Sequence, residues 1–227
     1  MLKRQYHTER IVILALAGLF LLSGCTGMTP LTQTQPIENV NKILVMPFKD
    51  LAAIYGHDGN IRCPLCGDVF AAGVVPDGVE GPLSEKLFNT MSERFGYDLV
   101  APEQVRESFP DLIAAEAKGR SDREMLLEIG RHLEVDAVLV GHLYRYQDRV
   151  GVAYSVDSPA SVAFDVHLLQ VSDGRIVWTG RFDETQRALS DNALKISTFL
   201  KGGGQWMTAD QLAALGIEDV LKSFPKK

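Results

Sequence analysis

Cys63-Pro64-Leu65-Cys66-Gly67 is the stretch of this 227-residue chain whose residue types and spacing can do chemistry. Two thiols three positions apart serve as a disulfide staple, as a pair of metal ligands, or as a redox dithiol. Tetrahedral zinc asks for four donors, and only His57, with Asp58 beside it, lies near in sequence to join the sulfurs. No second Cys-x-x-Cys follows, and no histidine follows Cys66 as haem attachment requires. Redox motifs normally open a helix after a strand, whereas this one sits among Gly56, Gly59, Gly67, Gly73 and Gly78. A disulfide between Cys63 and Cys66 is the leading reading. A metal site using His57, Cys63 and Cys66, within one chain or shared between chains, and a redox-active pair are the alternatives.

Further polar residues fall on expected strands. His142 and His167 lie on consecutive strands and read as two partly buried sheet histidines. Asp165 and Asp183 are also strand residues, but paired carboxylates need a pocket before they act as acid and base. Trp178 and Phe182 alternate along one strand face and read as core. No Gly-x-x-x-x-Gly-Lys-Ser/Thr or Gly-x-Ser-x-Gly motif occurs. The expectation is a protein without catalysis and without a cofactor beyond a covalent lipid.

That lipid belongs to the third cysteine. Lys3, Arg4 and Arg10 precede an apolar run from Ile11 to Leu22, and small residues Ser23 and Gly24 lead into Cys25. Charge, apolar core and small residues in that order mark a secretory signal. Such a run makes a helix of about 18 Å, too short for a hydrocarbon core of about 30 Å. Leu22-Ser23-Gly24-Cys25 looks like the bacterial lipobox. The resemblance implies cleavage before Cys25 and acylation, palmitate included, of that residue. Several acyl chains anchor almost permanently, since each buried methylene contributes about 0.8 kcal/mol. Thr26, where lipoproteins retained in the inner membrane of enteric bacteria usually carry Asp, implies the periplasmic face of the outer membrane.

Residues 1–24 therefore read as signal peptide, 25–40 as a polar, Pro-containing tether, and 41–227 as one periplasmic domain. The formal net charge is −6, and losing the basic signal makes the mature chain more acidic still. Nucleic acid, bound mostly through phosphate neutralisation, is a poor partner for such a chain. A short strand is expected over 42–48, a long loop over 49–79, a helix from Gly81-Pro82 to Gly96, and a strand over 97–100. Short helices follow over 102–108 and 111–118. Ser121-Asp122-Arg123-Glu124 and Thr208-Ala209-Asp210-Gln211 have the form of capping boxes, each opening a helix, the second with a kink at Gly216. Strands at 136–146, 161–171 and 175–184 form an antiparallel meander, the first two joined by a polar tip at 148–159. A helix at 191–200 ends at Gly202-Gly203-Gly204. Grouped strands and helices, rather than strict alternation, give an α+β fold: a mixed sheet with a three-strand antiparallel meander and helices packed on one face.

Ile43-Leu44-Val45-Met46-Pro47-Phe48, an amphipathic helix, Phe95-Gly96-Tyr97-Asp98-Leu99-Val100, and a capped helix leading into Asp136-Ala137-Val138-Leu139-Val140-Gly141 together resemble one recurring envelope domain. It occurs in the curli secretion lipoprotein, in the amino-terminal part of the Tol-system β-propeller protein, and in lipoprotein activators of penicillin-binding proteins. The likeness covers roughly residues 41–184. Trp178 to Gln186 is also similar to a stretch in uncharacterised lipoproteins of sulfate- and metal-reducing bacteria. The resemblance implies a lipid-anchored accessory protein that binds or scaffolds another envelope protein. A self-associating component of an export assembly is the alternative it offers, and a metal or redox lipoprotein using the cysteine loop is the third. The connections at 148–160 and 172–174 are too short for the long hairpins of a membrane pore.

Overall fold

Ile43, Leu44 and Val45 have no exposed surface, the condition of a strand in a parallel arrangement covered on both faces. They belong to β1 (Lys42–Val45), which pairs in parallel with β5 (Asp98–Val100) on one side and with β6 (Ala137–Gln147) on the other. The computed structural model describes residues 37, 39–104, 121–153, 155–186 and 205–227, within one compact unit, Thr34–Lys227. Cys25, the signal expected over 1–24, nearly all of the tether, and the helices expected at 111–118 and 191–200 lie outside the described residues. No helix among those described is long and apolar enough to cross a membrane.

The expected meander is present. β6 pairs antiparallel with β9 (Ser161–Gln170), and β9 with β10 (Ile176–Thr185). Strand order is β10-β9-β6-β1-β5, with β2 (Lys49–Asp50) extending the sheet beside β6. The polar tip after β6 is a two-stranded ribbon, β7 (Val150–Val152) and β8 (Ser155–Ser158). The chain is thus α+β with a mixed sheet.

Helix cover is divided between the faces. α2 (Glu80–Arg94) connects β1 to β5, and α3 (Asp122–His132) connects β5 back across β1 to β6. Two right-handed crossovers running in opposite directions place their helices on opposite faces. α2 packs with α4 (Ala209–Val220), and α4 lies on the face of Phe164 and Phe182. α3 lies on the other face, where Gly130 approaches Val138 and Val171. Helix starts agree with the residues that open them. Ser121 Oγ accepts from Glu124 N–H, and Thr208 and Gln211 form a reciprocal capping box. Gly216 differs from expectation. α4 runs through it without interruption, and an added Cβ would lie 2.7 Å from Phe182 and 2.9 Å from Phe164. The glycine permits close approach of helix to sheet rather than a kink.

The long segment over 49–79 is more structured than its sequence announces. It contains α1 (Leu51–Tyr55), capped by Asp50, and a hairpin of β3 (Asn60–Arg62) and β4 (Val69–Ala71). This hairpin shares the second face of the sheet with α3.

Candidate metal centre

The six residues joining β3 to β4 are Cys63 to Asp68, so both cysteines sit in the turn of the hairpin. Cys63 N–H donates to Asp68 C=O at 2.7 Å, and Gly67 N–H to Cys63 C=O at 3.0 Å. Gly67 has φ +82°, which glycine adopts without steric cost. The turn aims backbone donors at both sulfurs. Leu65 and Cys66 N–H lie 3.4 and 3.5 Å from Cys63 Sγ, and Asp68 N–H lies 3.4 Å from Cys66 Sγ. Donors so arranged favour thiolate over thiol.

Side chains of the main sheet hold the hairpin down. Phe70 stacks on Tyr144 with ring centroids 4.0 Å apart, and the Arg181 guanidinium covers Phe70 at 4.1 Å. Arg145 donates to Ala71 C=O at 2.7 Å, and Arg123 of α3 to Leu65 C=O at 3.2 Å. The register of β6 breaks between Leu143 and Arg145. That bulge turns Tyr144 and Arg145 toward the same face, where Tyr144 reaches Asp165 and Arg145 reaches Asp183.

Beneath Cys63 the sheet presents three titratable side chains. His142 of β6 is opposite Asp165 of β9, and His167 follows two positions along on the same face. All three are buried. His142 Nδ1 lies 2.9 Å from Asp165 Oδ1, and His167 Nε2 lies 3.0 Å from Oδ2. Cys63 Sγ is 3.3 Å from His167 Nε2 and 3.8 Å from His142 Nδ1. Tyr144 hydroxyl donates to Asp165 Oδ2 at 2.8 Å, and His167 Nδ1 meets Thr179 Oγ1 at 3.0 Å.

Donor atoms of Cys63, Cys66, Asp165 and His167 all lie within 4.8 Å of one another. Ideal tetrahedral zinc separates sulfur from nitrogen by about 3.5 Å and two sulfurs by about 3.8 Å. The 3.3 Å between Cys63 and His167 therefore matches ligands around one ion. Soft thiolates with imidazole and one carboxylate suit zinc and its neighbours rather than magnesium or calcium. Thr179 at Nδ1 turns Nε2 of His167 toward the centre, and Tyr144 steadies Asp165. Outer-shell contacts of this kind orient ligands.

The charge pattern is that of a centre prepared for a cation. Burial opposes ionisation of Cys63, but contacts with His142 and His167 outweigh it and bring the thiol down to about 6. Burial likewise opposes charge on His167, yet Asp165 and Cys63 lift it to about 9, and His142 moves up for the same reasons. Asp165, against its burial, is held well below the usual carboxylate range by the two imidazoles. Partial desolvation at the rim, with the Cys63 thiolate beside it, pushes the Cys66 thiol up to about 12, although the residue reaches solvent.

Measured against expectation, the centre is both more and less than a Cys-x-x-Cys pair. Cys63 and Cys66 are free cysteines here, not a disulfide. The loop folds across the sheet and spends its sulfurs on His167, His142 and backbone donors. His57 is not brought to them. It is exposed, with Nδ1 3.4 Å from Gly73 C=O. Its place is taken by Asp165 and His167, which distance in sequence hid. The signal available was Asp-x-His within one strand, which puts a carboxylate and an imidazole on one face. Asp183 stays outside the cluster, paired with Arg145 at 2.8 Å. Trp178 and Phe182 are buried, as read.

The fold and site define an α+β protein with a buried Cys/His/Asp cluster of metal-ligand type. No family model matches the chain, and no curated protein does. Several solved structures are distantly similar. The PelC dodecamer from Paraburkholderia phytofirmans is 15% identical at a TM-score of 0.48, over 85% of this chain and 94% of that one. Lipoprotein GNA1162 from Neisseria meningitidis is 18% identical at 0.43, over 71% and 94%. The LpoB C-terminal domain from Salmonella enterica is 18% identical at 0.37, over 66% and 87%.

Proposed function

We propose that this protein is a lipid-anchored envelope accessory protein whose domain holds one transition-metal ion of the zinc class between Cys63, Cys66, Asp165 and His167. The observation that carries the metal reading is the convergence of four donor atoms from the hairpin and β9 within 4.8 Å. Four protein ligands close a tetrahedral shell, the arrangement of structural zinc rather than of catalytic zinc, which keeps a position open. The ion fastens the β3–β4 hairpin to the sheet. A redox dithiol is the weaker reading of the metal-free pair. An attacking thiol needs both thiolate character and access, and here the two properties fall on different cysteines: Cys63 is ionised but buried, Cys66 exposed but protonated.

The accessory role rests on the lipobox at Cys25 and the tether, with the metal-fixed hairpin as the surface that meets another envelope protein or a second copy. Val69 on β4 and Val74 just beyond it are exposed, as are Ile54 and Tyr55 on α1.

Metal analysis of the full chain is the direct test. One equivalent of zinc per chain is expected, and its removal by a strong chelator is expected to lower the melting temperature by several degrees. A chain that neither arrives with metal nor takes it up overturns the reading. The anchor has its own test. Cys25→Ala is expected to lose incorporation of labelled palmitate and to leave the outer-membrane fraction. Fatty-acid labelling that survives the substitution overturns the lipobox assignment.

A further inference from the structure

The two sulfurs of the centre differ in access. Cys63 is 2% exposed beneath the hairpin, in contact with both histidines. Cys66 stands at the rim and is exposed. The sulfurs are at most 4.8 Å apart, so a bond of about 2.05 Å asks them to close by no more than about 2.8 Å. Rotation of the Cys66 side chain, at the solvent edge of a glycine-containing turn, supplies movement of that order.

We propose that the centre is a thiol–disulfide-gated metal site: an external disulfide exchanges at Cys66, Cys63 resolves the adduct, and the ion is released. This deepens the metal reading above and rests on it. In the loaded centre both sulfurs are thiolate ligands. The Cys66 thiolate attacks one sulfur of an external disulfide RSSR. A Cys66–SR bond forms, the RS–SR bond breaks, and one RS⁻ leaves. Cys63 then attacks Sγ of Cys66, the intramolecular disulfide forms, and the second RS⁻ leaves. Two thiolates have given up two electrons, and the external disulfide has become two thiolates. The divalent ion does not change oxidation state. It keeps only Asp165 and His167 of its four ligands and dissociates.

Access dictates the order of attack. Displacement at a disulfide needs the incoming sulfur to line up with the bond that breaks. In the folded protein only Cys66 offers that approach. Cys63 is covered by the hairpin, which Phe70, Arg145 and Arg123 hold in place. An exposed attacking cysteine over a buried resolving one is an ordered pair.

The test uses the full chain carrying Cys25→Ser, so that only the centre's thiols titrate, loaded with one equivalent of zinc. The oxidant is 5,5′-dithiobis(2-nitrobenzoate), whose released thiolate is coloured, with a chromogenic zinc indicator present. Two equivalents of coloured thiolate and one of zinc per chain are expected to appear together. With limiting oxidant and early quenching, peptide mass mapping is expected to place the first adduct on Cys66. Cys63→Ser is expected to trap that adduct with one equivalent of thiolate. Because this variant also weakens the site, the mapping in the chain with both cysteines stands as an independent readout. A first adduct on Cys63, or thiolate release with zinc retained, overturns the proposal alone. Failure to take up zinc before oxidant is added overturns the metal reading and this one with it.

Discussion

Cys63→Ser is expected to weaken zinc binding by at least ~100-fold and to strip the protein of stoichiometric metal. Structural zinc is held by about 10–16 kcal/mol shared among four ligands, or about 3 kcal/mol each, which is about 10²-fold in affinity. Cys63 is placed to exceed an equal share. It is the buried sulfur, it receives two backbone N–H groups from its own turn, and it touches both histidines. A serine hydroxyl there is shorter, harder and not ionised. Cys66→Ser is expected to cost less, because that sulfur stands at the rim with one backbone donor, from Asp68. Competition against a chromogenic chelator orders the two variants. Melting of the metal-free proteins separates loss of a ligand from loss of the fold. Equal affinity of parent and Cys63→Ser would remove this sulfur from the centre.

The same substitution shows what a sequence can and cannot display here. The Cys-x-x-Cys spacing is visible because both ligands lie in one turn. The meander is visible because β6, β9 and β10 are ten or eleven residues long, rich in β-branched and apolar residues, and separated by turn signals. Helices α3 and α4 announce themselves through Ser121 and Thr208. β3 and β4 have three residues each and α1 has five, too few for any period to register. Their placement comes from tertiary contacts of single residues, Phe70 on Tyr144 above all. The remaining ligands depend on that placement. Asp165 and His167 can be put on one strand face from sequence, and His142 opposite Asp165 once register is known. Nothing local says that a loop a hundred residues earlier lies over them. Absent that loop, buried histidines of the sheet are the simpler reading. They are indeed buried, at 1% for His142 and 0% for His167. The division of helices between faces was likewise carried by strand order, which alternation along single elements does not encode.

Zinc uptake near pH 7.5 is expected to release two protons and to strengthen about 100-fold per pH unit, since each proton displaced contributes a factor of ten. The count follows from the metal-free state. Cys63, brought down to about 6, is already a thiolate, and Asp165 is already ionised. Cys66, pushed up to about 12, and His167, lifted to about 9, each carry a proton that a ligand cannot keep. As pH falls through about 6, Cys63 takes up a proton as well and the slope rises to three. As pH rises through about 9, His167 is neutral before metal arrives and the slope falls to one. The signs for folding of the metal-free protein follow the same shifts. Cys63 is lowered from 9.0, so its contribution is complete above 9.0 and fades as pH falls through about 6. His167 is raised from 6.5, so its contribution is complete below 6.5 and is lost as pH rises through about 9. Calorimetric zinc titrations in buffers of different ionisation enthalpy read the proton count. Cys66→Ser supplies the internal control. Cys66 carries its proton until metal displaces it, and Cys63 is kept ionised by the two histidines and by the backbone at position 66, which the substitution leaves in place. The count is then expected to drop from two to one, the remaining proton coming from His167. A count that stays at two in Cys66→Ser would place the second proton on a group other than Cys66, and the four-ligand assignment would fail with it.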